Sequence, residues 1–182
     1  GSRNTETLGY GYQLAPSWRL TASYGTAFKV PSFNDLYYPN TPFVGIGNPG
    51  LRPELARNRE AGLHFERGSQ HFALTGFRNT ITNLIQWEET FPGSWFYTPT
   101  NVGRAKISGW TAAYDSRLGA WSLYANATFQ TPKDADSGRL LSRRAKRYAT
   151  LGAVYEGRGW QTGAEWKISS ERYDDAANTR RL

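Results

Sequence analysis

The sequence predicts an all-β fold, an antiparallel up-and-down sheet of about eight strands that is typical of a transmembrane β-barrel. Apolar and polar residues alternate along each predicted strand, which is the period of a sheet with two unlike faces. The connections alternate between short turns and long loops. Membrane barrels have tight turns at one end and long loops at the other, whereas soluble sandwiches vary loop length at both ends. No stretch has a convincing helical period.

The predicted strands follow one another in a regular order. Their apolar rows lie, in chain order, within residues 8–14, 18–24, 61–65, 72–85, 110–118, 121–129, 149–155 and 160–168. Short turns at 15–17, 67–69, 118–120 and 157–159 alternate with long connections at 28–54, 88–103 and 131–142. Segment 70–87 has apolar residues of both parities, which predicts a bulge or bend near Gly76.

The two faces of this sheet predict its surroundings. One face is apolar, and the other carries Gly, Ser, Thr, Asn, Gln, Glu and Lys. A soluble barrel would fill its interior with branched apolar side chains, so we expect the apolar face to contact lipid and the polar face to line a lumen. Glycines on that face would leave voids in a closed eight-stranded barrel, which indicates a piece of a wider one. Aromatic residues near strand ends suit a girdle at the lipid interface; they are Trp18, Trp121, Trp160, Tyr155 and Tyr173.

A soluble β-sandwich is the alternative from another class of protein. In that interpretation the strand aromatics form a water-excluding core, and the loop aromatics serve an adhesin or a carbohydrate-binding module. Such a module would be monomeric without detergent. An open membrane sheet has two unpaired edges, so it would instead self-associate in water.

Composition excludes several kinds of function. The 182 residues suit one domain, and Gly1-Ser2 has the form of a tag scar. Cys is absent, and the two histidines, His64 and His71, have no obvious carboxylate partner and no ligand spacing, so no metal site or cofactor is expected. No nucleophile elbow or phosphate loop is present, which argues against an enzyme. The net charge of +7 includes one dense basic run, 143–147, without the interleaved aromatics of a nucleic-acid surface. No apolar run reaches the roughly 18 residues of a membrane-spanning helix.

The connection 28–54 is the most distinctive stretch of the chain. Its five prolines (Pro31, Pro39, Pro42, Pro49 and Pro53) exclude a ladder or helix running through it, and Asn48-Pro49-Gly50 predicts a tight turn. Its aromatics argue against disorder and predict a packed or ligand-facing loop. They are Phe33, Tyr37, Tyr38 and Phe43.

The same stretch carries a family resemblance. It reads F-K-V-P-S-F-N-D-L-Y and then G-N-P-G-L-R-P-E, which resembles the signature of TonB-dependent outer-membrane receptors. Residues 79–85, N-V-G-R-A-K-I-S-G-W at 101–110 and L-L-S-R-R-A-K-R at 140–147 are similar to stretches of the cobalamin (vitamin B12) branch of that family.

The resemblance implies a 22-stranded barrel in the bacterial outer membrane, plugged by an N-terminal domain. It implies import of cobalamin with energy delivered through TonB, which would be contacted by the plug domain. Siderophore or haem receptors are the alternative within the family. Residues 1–182 carry no plug domain, no TonB-contacting segment and no C-terminal strand ending in an aromatic residue. We therefore expect a partial barrel domain that does not transport alone, with cobalamin as cargo rather than cofactor.

The resemblance also suggests site residues. Arg143 aligns with an arginine that faces ligand and plug. The alternative is that Arg143, Arg144 and Lys146 form a solvated cluster or contact lipopolysaccharide phosphate. Aromatic candidates for contact with a large, partly apolar corrinoid are Tyr37, Tyr38, Trp95 and Tyr97. Structural members of the signature are Pro31, Asn48, Pro49, Pro53 and Glu54.

Overall fold

A computed structural model describes residues 4–182, except for the side chain of Val102. The Gly1-Ser2 pair lies outside the described residues. Within the described part of the chain, eight strands form one antiparallel sheet in which each strand pairs with the next along the chain, and β1 and β8 are its edges. The strands are β1 Thr7–Ala15, β2 Trp18–Lys29, β3 Glu54–Arg67, β4 Gln70–Glu89, β5 Tyr97–Leu118, β6 Trp121–Asp134, β7 Arg147–Gly157 and β8 Trp160–Ser169. The prediction of an all-β up-and-down sheet is confirmed.

Strand register collects the predicted apolar rows on one face. Leu20 pairs with Leu63, and Leu63 pairs with Leu74. Farther along the sheet, Ala125 pairs with Leu151, which pairs with Trp166. Large apolar side chains on this face are exposed, among them Tyr10 and Trp166, each at 67%. Water-soluble monomers rarely expose a continuous apolar surface of this extent, so the face requires an apolar environment.

The connections alternate between the two ends of the sheet as predicted. Two-residue turns lie at 16–17, 68–69, 119–120 and 158–159. At the opposite end, which we call the long-loop end, lie residues 30–53, 90–96 and 135–146, and residues 170–182 follow β8 there.

The second long connection is shorter than expected because β4 and β5 extend to 20 and 22 residues. Pro99 lies inside β5, opposite Trp87. A proline suits this position because the pairing of β5 with β6 begins only at Ala105, so β6 does not require the N–H that proline lacks.

Of the bulge or bend predicted near Gly76, the bulge is wrong. Register runs unbroken through Gly76 on both sides of β4. The apolar residues of opposite parity belong to the other face, where Phe77 and Ile81 pack against a buried cluster. The cluster comprises Leu84, Ala105, Ile107 and Leu141.

A short helix, α1 (Phe33–Tyr37), interrupts the proline-rich connection. No helix runs through the connection, as its prolines predict, but one helical turn that was not predicted from the sequence fits between Pro31 and Pro39. A capping box stabilises it: Asp35 N–H donates to Ser32 Oγ (3.1 Å), and Ser32 N–H donates to Asp35 Oδ2 (2.8 Å). Among the described residues, none of the helical segments has the length and apolarity needed to span a bilayer.

Candidate functional site at the long-loop end

The proline-rich connection folds back onto the extended ends of β4 and β5. The Trp87 indole N–H donates to Asp35 Oδ1 at 3.0 Å, and the Trp87 ring meets Tyr38 edge to face at 5.5 Å between centroids. Burial opposes ionisation of Asp35, but hydrogen bonds from Ser32 and Trp87 outweigh it and lower the pKa of this carboxyl. The aspartate therefore ties α1 to β4 as a carboxylate.

A second contact joins the same connection to the start of β5. Ile46 N–H donates to the Tyr97 carbonyl and Tyr97 N–H donates to the Val44 carbonyl, both at 3.0 Å. Between them lies Gly45 with φ of 154°, where a Cβ would overlap the Tyr97 carbonyl oxygen. Glycine is thus required for the backbone of the connection to approach this closely.

Signature residues occupy anchoring positions. Glu54 is buried, with 9% exposure, and its Oε1 accepts from Ile85 N–H at 3.0 Å and from Lys29 Nζ at 3.3 Å. Asn48 Oδ1 accepts from Gly50 N–H at 2.9 Å, which closes the turn around Pro49.

The remaining signature contacts reach β4 and β5. The Asn48 amide donates to the Pro99 carbonyl at 3.0 Å, and the Asn83 amide donates to the Pro53 carbonyl at 3.4 Å. Pro31 directly precedes Ser32, the N-cap of α1. Sequence reasoning missed Asn101, whose side chain exchanges two hydrogen bonds with the backbone of Arg52 (2.8 and 3.0 Å).

An open cavity of about 540 Å³ lies between the 90–96 connection and the segment that follows β8. Its lining includes Trp87, Glu89, Trp95, Tyr97, Asp174 and Arg180. Its chemistry combines aromatic rings with both signs of charge, which suits a ligand that has apolar surface and hydrogen-bonding groups.

Arg180 connects the polar and aromatic parts of the cavity. Its Nη2 lies 3.1 Å from Glu89 Oε2, and its Cζ lies 5.5 Å from the centre of the Trp95 ring. The Tyr97 hydroxyl donates to Glu89 Oε1 at 3.4 Å. Hydrogen bonding with Tyr97, together with the charge of Glu89, raises the pKa of Arg180. The guanidinium is therefore a fixed positive charge beside an aromatic wall.

Asp175 shapes the segment that carries Arg180. Its carboxylate accepts from Thr179 N–H, from the Thr179 hydroxyl at 2.9 Å and from Arg180 N–H at 2.7 Å. Burial opposes ionisation, but these hydrogen bonds outweigh it and lower the pKa of Asp175. The ionised side chain closes the turn that places Arg180 at the cavity.

The structure brings together some of the predicted ligand-contact residues. Trp95 and Tyr97 line the cavity directly. Arg143 lies beside it, with Nε 2.7 Å from Asp174 Oδ1. Tyr38 reaches the cavity only through Trp87, and Tyr37 packs instead against Phe33 at 5.2 Å.

The pair of Glu89 and Arg180 is not predicted from the sequence, and the predicted position of Tyr173 is wrong. Glu89 and Arg180 lie 91 positions apart in the chain, so no spacing rule would link them. Tyr173 does not end a strand: it lies beyond β8 and forms an isolated antiparallel β-bridge with Arg181.

The histidines have partners on the polar face. His71 Nδ1 lies 2.6 Å from Asp115 Oδ2, so the expectation that it lacks a carboxylate partner is wrong. His64 Nε2 lies 2.9 Å from the Thr21 hydroxyl. Within residues 4–182 the described side chains form no cluster of three or more suited to a metal ion.

Comparison with known sequences identifies relatives over the whole chain. A family model described as "TonB dependent receptor-like, beta-barrel" matches residues 2–182. The chain is 33% identical to the vitamin B12 transporter BtuB of Photobacterium profundum, over 100% of this chain and 30% of that protein. It is 31% identical to BtuB of Vibrio vulnificus (strain YJ016), over 98% of this chain and 28% of that protein. The chain therefore spans less than a third of the length of these relatives.

Solved structures share the fold at lower identity. The copper transporter OprC superposes with a TM-score of 0.72 at 22% identity, covering 93% of this chain and 26% of OprC. The ferric enterobactin receptor PfeA of Pseudomonas aeruginosa superposes with a TM-score of 0.73 at 18% identity, covering 98% of this chain and 30% of that receptor. At these identities the comparison establishes the architecture alone.

The family match and the fold confirm the predicted barrel segment and the outer-membrane location, and the family is one of receptors and transporters rather than enzymes. The chain belongs to the TonB dependent receptor-like β-barrel family of bacterial outer-membrane receptors, a family that implies interaction with TonB in general.

Proposed function

We propose that this chain is a partial barrel domain of a receptor that binds cobalamin outside the cell and imports it with TonB-derived energy. The main support is the aromatic and charged cavity at the long-loop end, in a chain that is 31–33% identical to two vitamin B12 transporters along nearly its whole length. Import belongs to the whole receptor, whose plug domain would contact TonB.

The cavity suits one edge of a corrinoid rather than the whole ligand. Trp95 and Tyr97 offer rigid aromatic surface, while Glu89 and Arg180 offer an acceptor and donors for amide groups. Arg143 would contribute by moving from Asp174 to a ligand acceptor, since its side chain is exposed. Tyr37 at the end of α1 and Tyr38 at its C-cap would form a second contact region.

The signature residues have a structural role in this proposal. Pro31, Asn48, Pro49, Pro53 and Glu54 hold the proline-rich connection against β4 and β5, which positions α1 and the 44–46 segment. Ligand contact then falls to the aromatic residues of the connections.

Equilibrium binding of cobalamin to the full-length receptor tests the proposal. We expect Trp95→Ala and Tyr97→Ala to raise Kd about tenfold each, as hot-spot aromatics do, while Trp166→Ala on the apolar face leaves it unchanged. Unaltered cobalamin affinity in both cavity variants would contradict the assignment of this cavity.

A siderophore receptor is the second candidate, because the ferric enterobactin receptor shares the fold. Titration of the full-length receptor with cobalamin and, separately, with a ferric catecholate siderophore distinguishes the two. We expect saturable binding of cobalamin only. Saturable siderophore binding without cobalamin binding would contradict the cobalamin assignment and identify a siderophore receptor.

A further inference from the structure

Five basic side chains form a cluster on the apolar face near the long-loop end: Arg57, Arg59, Arg78, Lys106 and Lys133, called here the outer basic patch. Each lies an even number of positions from an apolar-face residue of its own strand, so each shares that face. Lys106 lies four positions before Trp110, and Lys133 lies four positions after Phe129. All five are exposed.

Strand register places like charges directly opposite each other. Arg59 of β3 pairs with Arg78 of β4, and Lys106 of β5 pairs with Lys133 of β6. Arg57 occupies the same level as Lys106, with Thr80 between them. Directly opposed like charges in a sheet repel, so an external anion between them would stabilise this arrangement.

The described residues supply no such counter-charge within the patch. None of its five members forms an ion pair with a described side chain, whereas neighbouring Arg104 pairs with Asp136 at 3.4 Å. The intervening positions on β4, β5 and β6 are Thr80, Ser108 and Thr131. Among the described residues, Glu6 is at this level on the same face but lies across β2 beside Thr26. Asp134 follows Lys133 on the opposite face, and Asp136 is already paired with Arg104.

The patch begins where the apolar band ends. Trp110 and Phe129 stack at 4.3 Å between centroids and form the last aromatic pair of that face on β5 and β6. From Trp121 to Phe129, β6 is about as long as the roughly 9–11 residues with which a tilted strand crosses the hydrocarbon. Lys133 lies about 13 Å farther along the strand, at about 3.3 Å per residue. At a strand tilt of about 45°, this is about 9 Å beyond the hydrocarbon, a depth that suits lipid headgroups.

We propose that the outer basic patch binds the phosphate groups of lipopolysaccharide, the anionic glycolipid of the outer leaflet. Guanidinium groups offer forked donors that match phosphate, and ammonium groups add compact positive charge. The three serine and threonine hydroxyls between them can donate to sugar or phosphate oxygens. The proposal rests on the membrane placement of the sheet and is independent of which cargo the receptor imports.

This patch is distinct from the basic run 143–147 of the loop. Arg143 pairs with Asp174, and Arg144 and Lys146 lie in the connection between β6 and β7. The outer basic patch lies on paired strands, so its side chains are presented from a rigid surface.

Binding of diphosphoryl lipid A by the full-length receptor in zwitterionic nanodiscs tests the proposal. We expect measurable binding that weakens about tenfold when lipid A is dephosphorylated, a comparison that needs no variant. We expect a similar loss in the R59Q/R78Q/K106Q receptor and none in R144Q/K146Q, which removes loop cations instead. Circular dichroism and unchanged cargo binding report that each variant is folded.

Two results would overturn the proposal. Equal affinity for phosphorylated and dephosphorylated lipid A would mean that the glycolipid is bound without its phosphates. Complete displacement of lipid A by millimolar inorganic phosphate would mean that the patch holds a free anion rather than a lipid headgroup. A receptor that binds lipid A but does not bind cobalamin would contradict the proposed function and leave the lipid A proposal supported.

Discussion

Replacing Leu151 with arginine tests the lipid-facing assignment energetically. Leu151 lies in the middle of the apolar row, between Ala125 and Trp166, and 45% of its surface is exposed. An arginine on the lipid face costs about 2–4 kcal/mol at the bilayer midplane and about 0–1 kcal/mol near the interface. Leu118 provides a matched control, since it shares the face, is 50% exposed and lies beside the 119–120 turn.

We expect Leu151→Arg to lower the free energy of unfolding by about 2 kcal/mol more than Leu118→Arg does. Guanidinium unfolding of the full-length receptor in lipid vesicles, followed by tryptophan fluorescence, measures both. Equal destabilisation by the two substitutions would refute the reasoning, because the cost of an arginine on a lipid-facing surface depends on its depth in the bilayer.

Three further predictions concern the long-loop end. Glu54→Gln should destabilise the 30–53 connection by about 1–3 kcal/mol, because the Ile85 N–H and the Lys29 ammonium lose a charged acceptor. Limited proteolysis measures this: cleavage within 30–53 should be faster in the Glu54→Gln variant than in a Glu60→Gln control. Because the pKa of Asp175 is lowered in the folded state, its carboxylate should stabilise segment 174–180 fully above the unfolded pKa, and this stabilisation should vanish as pH falls through the folded pKa. Hydrogen exchange of the Thr179 and Arg180 amides from about pH 7 to about pH 3 measures the loss. A rate of local opening that does not depend on pH would contradict the prediction. Arg180→Gln should weaken cobalamin binding about as much as Trp95→Ala, because both remove the same stacked pair, and additive losses in the double variant would argue against coupling.

Alternation along single strands made the architecture predictable. The row from Trp121 to Phe129 specifies a strand and its apolar face without reference to any other residue, and the two-residue turns follow from the glycines and the Pro16-Ser17 pair. Strand ends were less predictable. Pro99 and the aromatics around it indicate a loop, yet the backbone of the proline-rich connection pairs with Tyr97 and extends the ordered region.

The cavity and the outer basic patch depend on contacts between distant residues. Aromatic residues in the loops predicted the contribution of Trp95 and Tyr97, but their partner Arg180 lies in a segment without periodicity. Strand parity puts Arg59 and Arg78 on one face, but only the register shows that they lie directly opposite each other. Such pairings require the three-dimensional arrangement of the strands.

Fluorescence quenching by brominated lipids tests the central claim most directly. The tryptophans with the largest exposed fractions on the apolar face are Trp110 at 43%, Trp121 at 47%, Trp160 at 57% and Trp166 at 67%. In single-tryptophan versions of the receptor in vesicles, we expect strong quenching of these four at different bromine depths. A version that retains only Trp87, which bonds Asp35 outside the membrane, should show little. Absence of quenching at all four, together with a β-type circular dichroism spectrum in plain buffer, would contradict the membrane assignment and favour a soluble sheet.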